Sequence, residues 1–363
     1  ALIQLGHQVI VVNPTNDSRG NSGLEQDYID GVPVVRSWYS TSPTLVGRVW
    51  ARTHAALRGV QSAFARLEGV DVIHQHDHMG STLAAIIASI RHRWIWTNHT
   101  STFLRDVKRT TKRNLIRHLY QRTERVIAVS REIEEVSGQL FGKRRVVYIP
   151  NGVDTSRFCP KVRVARSNYG ISEEDKVVLC PRRMVKKNGV VYLAEAVRLV
   201  IEAEPGVSWR FIFLGNEAAG NTDSEYIAQV QSRLRETGVW ERVKFLGNVP
   251  ASSMPEVYAL ADIVVIPSLV EAVSLSALEA MAMEKPVVAT SVGGLRELIE
   301  NRRTGISVRP ESPDALAAAI LELHRNSRLA SYISKSACDL VRREYTWERV
   351  AERTLAVYAK AGF

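Results

Sequence analysis

Cysteine is rare in this chain of 363 residues, which contains only Cys159, Cys180 and Cys338. An odd number of widely spaced thiols with no CxxC pair argues against a disulfide framework and favours reduced cysteines in a cytoplasmic protein. Long apolar runs are scarce too, since stretches such as 81–90 are much shorter than the ~18 residues that cross a bilayer. The sequence therefore predicts a cytoplasmic protein without a membrane-spanning helix.

Two phosphate-binding glycine motifs are also missing. Neither G-x-G-x-x-G nor G-x-x-x-x-G-K-[ST] occurs, so the nicotinamide-dependent and P-loop classes lack their signatures. The first residues, ALIQLGHQVIVV, are typical of a helix end, a turn at Gly6 and a strand. We therefore expect that a first strand and its loop, which could carry a glycine motif, precede these residues.

What is present is a mixed, globular composition with unevenly placed charge. Hydrophobic residues make up 45% and charged residues 24% of the chain, which excludes a disordered protein. The length suggests two domains. Of the net charge of +10, residues 1–160 carry +8. Because a clustered positive field attracts anions, the first half is expected to meet an anionic partner.

Short runs rich in Val and Ile alternate with segments of helical periodicity, which is typical of parallel strands joined by crossover helices. The predicted strands are 9–12, 32–38, 70–76, 94–99, 125–130 and 145–150, then 176–182, 209–215, 242–247, 262–268, 286–290 and 305–310. We predict two Rossmann-like, doubly wound parallel-sheet α/β domains facing across a cleft, with ligands beyond the carboxyl ends of the strands. The first domain is 1–156, rejoined by a C-terminal helix at 345–363, and the second is 157–344.

The densest set of candidate residues lies in 262–305. Glu271 falls on a loop after a predicted strand, and Glu279 lies in a helix that begins near Leu275. The start of such a helix offers free N–H groups and partial positive charge, which suits a phosphate. A glutamate there can equally be a surface residue that compensates the helix dipole. Spacing alone leaves both readings open.

Four cations follow the predicted strand 176–182, namely Arg182, Arg183, Lys186 and Lys187. Arginine offers a planar fork and lysine a point charge, so the group would suit a diphosphate. A solvated loop is the alternative.

Histidines mark two strand ends in the first half. The HQHDH segment 74–78 does not have the spacing of a known zinc motif, so no metal site is expected. His99 ends the next strand and is a functional candidate, with a structural histidine as the alternative. The segment 105–125 carries eight Lys/Arg, which suits either a peripheral contact with an anionic membrane or a solvated face. No nucleic-acid motif accompanies it.

Several segments together resemble the retaining glycosyltransferases of family 4, the group 1 glycosyltransferases. Glu271 and Glu279 match the E-x7-E motif within PSLVEAVSLSALEAMAMEKPVVAT. IPNGVD at 149–154, FLGN at 213–216 and YALADIVVIPS at 258–268 follow the family order. The resemblance covers essentially the whole chain and implies the GT-B fold.

The resemblance also implies roles for individual residues. Glu279 would bind the ribose hydroxyls of a nucleotide-sugar donor, Glu271 hydroxyls of the transferred sugar, and Arg183 the diphosphate. Lys187 would have to replace the family lysine, because Asn188 stands at that position. The other residues implied at the donor are His99, Ser274, Leu275, Ser276, Gly215, Asn248 and Val249.

The implied reaction is retaining, metal-independent transfer of a hexosyl group from a UDP- or GDP-sugar to a hydroxyl acceptor. The acceptor would be a sugar, a glycolipid or a small molecule in cell-envelope or exopolysaccharide synthesis. No cofactor or metal is expected, and no DxD triplet occurs. The alternatives are a nucleotide-sugar epimerase or phosphorylase of the same fold, or an inactive sugar-nucleotide-binding protein.

Overall fold

The structure, a computed structural model, describes residues 1–16, 23–29, 31–39, 45–67, 69–76, 82–99, 101–215 and 224–360. The chain divides into two compact units, Ala1–Pro150 with Val350–Phe363, and Asn151–Arg349. From the sequence we predict the two domain boundaries after residue 156 and before residue 345, whereas the structure places them after Pro150 and after Arg349. Within the described ranges, no helix has both the length and the apolar character needed to cross a membrane.

The first unit begins with a small mixed sheet in the strand order β1-β3-β2. Its strands are β1 (Val11–Asn16), β2 (Leu24–Ile29) and β3 (Val32–Tyr39), with β1 parallel and β2 antiparallel to β3. Strand β2 was not predicted, because its mostly exposed side chains give no apolar run. Helix α1 (Leu45–Phe64) packs on β1 and β3.

A second sheet of the first unit is wholly parallel, in the order β4-β5-β6-β7. Its strands are β4 (Val72–His76), β5 (Arg93–Asn98), β6 (Arg125–Ala128) and β7 (Val146–Tyr148). The helices between them are α2 (Thr82–Ala88), α3 (Ser101–Asp106), α4 (Thr110–Leu119) and α5 (Arg131–Phe141). Trp96 is fully buried and stacks on Tyr120 with ring centroids 3.9 Å apart, which anchors the segment after α4 to the sheet.

The second unit contains a parallel sheet in the order β10-β9-β8-β11-β12-β13. The strands are β8 (Lys176–Cys180), β9 (Trp209–Leu214), β10 (Val243–Gly247), β11 (Ile263–Ile266), β12 (Val287–Thr290) and β13 (Ile306–Val308). The chain reverses its direction of travel across the sheet between β8 and β11. In open α/β sheets, the crevice at such a switch point is where ligands bind.

Helices cover both faces of this sheet, which explains why its strands are apolar on both sides. The helices are α6 (Val190–Ala203), α7 (Ser224–Glu236), α8 (Met254–Leu260), α9 (Leu275–Ala282), α10 (Leu295–Leu298), α11 (Pro313–Arg325) and α12 (Ser327–Glu344). Helices α6, α7 and α11 bury one face, while α8, α9 and α12 bury the other. Ser312 caps α11 by accepting from the Ala315 N–H, as the Ser-Pro pair predicts.

The last helix, α13 (Trp347–Lys360), carries the chain back to the first unit. Its residue Val357 is buried in a cluster with Ile95, Ile127 and Ile149 of that unit. The C-terminal segment therefore completes the core of the N-terminal half.

Candidate active site

The candidate site is built around the switch point of the second sheet. Arg182 and Arg183 follow the carboxyl end of β8, and Glu271 lies on the loop after β11. Because β8 and β11 are paired neighbours in the sheet, the loops that follow them leave the same edge side by side. Cationic and anionic side chains distant in sequence are brought together there.

Close backbone contacts fix these two loops. Gly189 has φ of +62°, and a Cβ on it would lie 2.0 Å from the Pro267 carbonyl oxygen. The carbonyl of Lys187 accepts a hydrogen bond from the Leu269 N–H at 2.8 Å. Only glycine permits an approach this close, so the β8 and β11 loops form one packed unit.

Arg182 is paired with Glu271 rather than free for a phosphate. Its Nη2 donates to Glu271 Oε2 and also to Asn188 Oδ1, the latter at 2.8 Å. The side chains of Arg182 and Glu271 are each only 11% exposed. A carboxylate this buried needs a counter-charge, and Arg182 supplies it. The structure thus gives Arg182 a carboxylate partner that was not predicted from the sequence.

Asn188 is a buried structural link between the two arginines. It is 2% exposed, and its Nδ2 donates to the Arg183 carbonyl oxygen at 2.7 Å. Arg183, Lys186 and Lys187 are exposed, and their side chains make no ion pair or hydrogen bond with the residues that the structure describes. Three of the four predicted cations thus remain available to an anion.

Glu279 lies in a different environment. Tyr258 donates its hydroxyl to Glu279 Oε2 at 2.7 Å and lies 3.2 Å from the Ser276 carbonyl oxygen. Burial raises the pKa of Glu279 above its ordinary value, although the Tyr258 hydrogen bond and the charge of Arg157 oppose the shift. Burial, followed by the neighbouring Glu279, holds the pKa of Tyr258 well above its usual range. The tyrosine is thus a permanent donor to the carboxylate.

Helix α9 begins as predicted at Leu275. Ser274 is its N-cap, with its Oγ accepting from the Ala277 N–H at 3.3 Å. The Ser276 hydroxyl donates to the Pro181 carbonyl oxygen at 3.0 Å, which ties the helix to the end of β8. Leu275 is 43% exposed. The N-terminal amides of this helix therefore open beside the arginine loop.

The predicted donor residues Gly215, Asn248 and Val249 follow β9 and β10. Gly215 has φ of +83°, and its N–H donates to the Gly247 carbonyl oxygen at 2.8 Å. A Cβ on Gly215 would lie 2.8 Å from the Cα of Arg183, so this glycine supports the arginine loop directly. Asn248 is exposed, whereas Val249 packs on the core.

Two residues of this site, Tyr258 and Arg157, were not predicted from the sequence. Tyr258 stands in the landmark YALADIVVIPS, but its side chain reaches Glu279, which is 21 positions away. Arg157 lies near enough to Glu279 to affect its pKa. Neither residue belongs to a chemical motif of its own.

His99 lies in the first unit, after β5, and belongs to a histidine group. His99 Nε2 and His76 Nδ1 share a hydrogen bond of 2.8 Å, and the His76 ring stacks on His74 at 4.3 Å. Tyr358 of α13 and Thr97 each lie 2.6 Å from a His74 ring nitrogen. Burial, then His76 and His99, lowers the pKa of His74 well below its ordinary 6.5, so His74 stays neutral.

The HQHDH segment, 74–78, is described only in part. Asp77 and His78 lie outside the described residues. Among the residues that are described, no cluster of three or more His, Cys, Asp or Glu side chains could hold a metal ion.

Comparisons with known proteins identify the family. The family model "Glycosyltransferase Family 4" matches residues 1–157, and the model "Glycosyl transferases group 1" matches residues 175–326. The chain belongs to the family 4, group 1 glycosyltransferases.

Two curated relatives align along nearly the whole chain. An uncharacterized glycosyltransferase of Methanocaldococcus jannaschii is 29% identical over 98% of this chain and 90% of its own length. The D-inositol 3-phosphate glycosyltransferase of Corynebacterium urealyticum is 26% identical over 98% of this chain and 87% of its own length. Both are glycosyltransferases by name, and this chain is a glycosyltransferase too.

Solved structures agree with the fold prediction. Sucrose-phosphate synthase from Thermosynechococcus elongatus superimposes with a TM-score of 0.81 at 20% identity, covering 99% of this chain and 90% of that one. Anabaena HepE in complex with UDP-glucose gives 0.73 at 20% identity, covering 91% and 86%. The predicted GT-B fold of two α/β domains with parallel sheets is confirmed.

Proposed function

We propose that this glycosyltransferase is a retaining, metal-independent hexosyltransferase that uses a UDP- or GDP-sugar and a hydroxyl acceptor. The main support for the proposal is the arrangement of charged side chains at the edge of the second sheet. At the switch point of the second sheet, Glu271 and Glu279 are held by separate partners while Arg183 and Lys187 stay exposed and unpaired among the described residues. The solved HepE complex contains UDP-glucose, which favours a uridine donor.

Each group at this edge matches one part of a nucleotide-sugar. Breaking the anomeric bond leaves negative charge on the departing diphosphate, which Arg183, Lys187 and the α9 amides would stabilise as it develops. Glu279 would accept from the ribose hydroxyls and Glu271 from the transferred sugar. Because protein cations and amides can supply this charge stabilisation, the proposal includes no metal ion.

Retention of the anomeric configuration requires the acceptor to attack the face from which the leaving group departs. The charge stabilisation at the diphosphate supports such a path, because a short-lived ion pair on that face would be held in place. His99 would bind the donor sugar, and Gly215, Asn248 and Val249 would line the nucleotide end. These assignments follow from the family resemblance and from the positions of the residues at strand ends.

The basic segment 105–125 favours a peripheral membrane role on the cytoplasmic side, with a cell-envelope glycan, glycolipid or exopolysaccharide as product. Asp106 is buried and paired with Lys112 at 2.8 Å. Lys108, Arg109 and Arg113 are exposed and form no ion pair with described residues. Exposed cations near an anionic surface contribute ~1 kcal/mol each to membrane binding.

The donor site is tested by Glu279→Ala together with a thermal-shift screen of UDP- and GDP-sugars. A ligand that binds only the folded state raises its stability by RT ln(1 + [L]/Kd). We expect a shift with one nucleotide class, and at least ~10-fold weaker donor binding in Glu279→Ala, as for a lost hydrogen bond to a charged group. The exposed Glu202 is the matched control, since its replacement by Ala leaves binding unchanged. Unchanged binding and turnover in Glu279→Ala contradict the assignment.

The membrane contact is tested by co-sedimentation with phosphatidylserine and phosphatidylcholine vesicles. Replacing Lys108, Arg109 and Arg113 with Gln is expected to abolish the preference for anionic vesicles while transfer to a water-dissolved acceptor persists. Equal binding to both vesicle types in the parent protein removes this part of the proposal.

A further inference from the structure

We propose that Arg182 is a positioning residue that makes Glu271 selective for one hydroxyl of the transferred sugar. The inference rests on the proposed function, because it assumes that Glu271 faces the donor sugar. It assigns to Arg182 and Asn188 a task that differs from diphosphate binding.

The hydrogen bonds of Arg182 are directed at Glu271 and Asn188. One nitrogen, Nη2, serves both Asn188 Oδ1 and Glu271 Oε2. The Nε of Arg182 is sealed from solvent and has no acceptor among the described residues. With Nη2 occupied and Nε enclosed, Arg182 cannot offer a diphosphate the paired N–H groups of a free guanidinium fork. Only Nη1 stays accessible and without a partner among the described residues.

The two oxygens of the Glu271 carboxylate consequently have different environments. Its Oε2 is committed to Arg182, whereas Oε1 accepts no hydrogen bond from the described residues and is not sealed from solvent. The backbone of Glu271 is fixed as well, since its carbonyl accepts from the Gly294 N–H at 3.1 Å. A Cβ on Gly294 would lie 2.2 Å from the Ala272 carbonyl oxygen, so this contact permits only glycine. One carboxylate oxygen is therefore presented in one orientation.

Asn188 completes the arrangement by holding Arg182 in place. Its Oδ1 accepts from Arg182 while its Nδ2 donates to the Arg183 carbonyl oxygen. The side chain thus joins the buried arginine to the backbone of its exposed neighbour. A lysine at position 188 would offer no acceptor to Arg182 and would add a second cation beside it.

A fixed carboxylate oxygen discriminates between sugars more sharply than a rotating one. A hydroxyl at the right position donates to it, and a donor lacking that hydroxyl leaves the carboxylate unpaired. If Arg182 is removed, the carboxylate can turn and accept from another hydroxyl or from water. Selectivity is then lost while nucleotide binding, which depends on other residues, is retained.

The experiment compares kcat/KM for the preferred donor and its monodeoxy analogues in the full-length protein and in Arg182→Met. In the parent protein, one deoxy donor is expected to be roughly 10- to 100-fold poorer. In Arg182→Met that ratio is expected to fall to within about threefold of unity, while Kd for UDP or GDP alone is unchanged. Arg198→Met, on an exposed i,i+4 pair, is the matched control and keeps the parent ratio.

The outcomes separate this inference from the proposed function. A parent protein that binds no nucleotide-sugar refutes the proposed function itself. An active parent with an unchanged deoxy ratio in Arg182→Met, or with an equal loss of nucleotide affinity, overturns the inference alone. Because Arg182→Met leaves a buried carboxylate unpaired, Arg182→Lys and the double variant Arg182→Met/Glu271→Gln are measured beside it. Arg182→Lys is expected to restore part of the ratio and the double variant none.

Discussion

The two glutamates of the candidate site are eight positions apart, but they are stabilised in opposite ways. Glu271, on a loop, is neutralised by a buried arginine. Glu279, on α9, has a tyrosine hydroxyl as its partner, and burial raises its pKa. The comparison shows that one motif can present one carboxylate as a fixed ion pair and the other as a group that gains a proton readily.

The largest effect is expected from breaking the ion pair. Glu271→Ala leaves Arg182 buried with only Asn188 as partner, which should cost the second unit roughly 3 kcal/mol of unfolding free energy. Urea denaturation measures the loss. In the double variant Glu271→Ala/Arg182→Met most of it should be recovered, and a double variant no more stable than the single one contradicts the ion-pair account.

A smaller effect is expected at the second glutamate. Tyr258→Phe removes a hydrogen bond to a carboxylate and should cost about 2 kcal/mol. Because that hydrogen bond opposes the pKa shift, the pKa of Glu279 should rise further. Urea denaturation gives the stability, and a pH titration of nucleotide binding gives the pKa. A lower apparent pKa in Tyr258→Phe is the contrary result.

The pH dependence of donor binding should distinguish the two carboxylates. Because the pKa of Glu279 lies above its ordinary 4.5, this group takes up a proton before a normal glutamate as the pH falls. A neutral carboxyl accepts more weakly from ribose, so nucleotide affinity should drop about tenfold through that pKa. Calorimetry from pH 8 to pH 4.5 tests this. If Glu279→Gln retains the same inflection, another group is responsible.

The smallest effect concerns stability at neutral pH. Because the pKa of Glu279 is raised in the folded protein, protonation of this group favours the folded state. That contribution to the free energy of unfolding is present below pH 4.5 and is lost as the pH rises through the pKa of the folded protein. Glu279→Gln removes the buried charge and should stabilise the protein at pH 7 by up to about 1 kcal/mol, or roughly 2–4 °C in Tm. Glu202→Gln, which is exposed, should change Tm little. A clear loss in Glu279→Gln contradicts the burial argument.

Much of the second unit was predictable because its physics is local. Strands buried on both faces, such as β11, must be apolar runs. Helix α9 begins at Leu275, where Ser274 caps it through a contact three residues away. Strand β2 was missed because an exposed strand leaves no such pattern. The link between Tyr358 and His74 joins residues 284 positions apart, which no local rule could indicate.

The sequence by itself determined the two-domain α/β class, the two glutamates at their spacing and the cations after β8, because these depend on residue type, order and periodicity. Only the tertiary structure decided which cation Glu271 neutralises and which hydroxyl holds Glu279. Side-chain direction at a strand end depends on what the neighbouring loop presents, and β8 and β11 become neighbours only when the sheet forms. Arg182 and Arg183 are adjacent in the chain, but folding leaves one buried against a carboxylate and the other exposed.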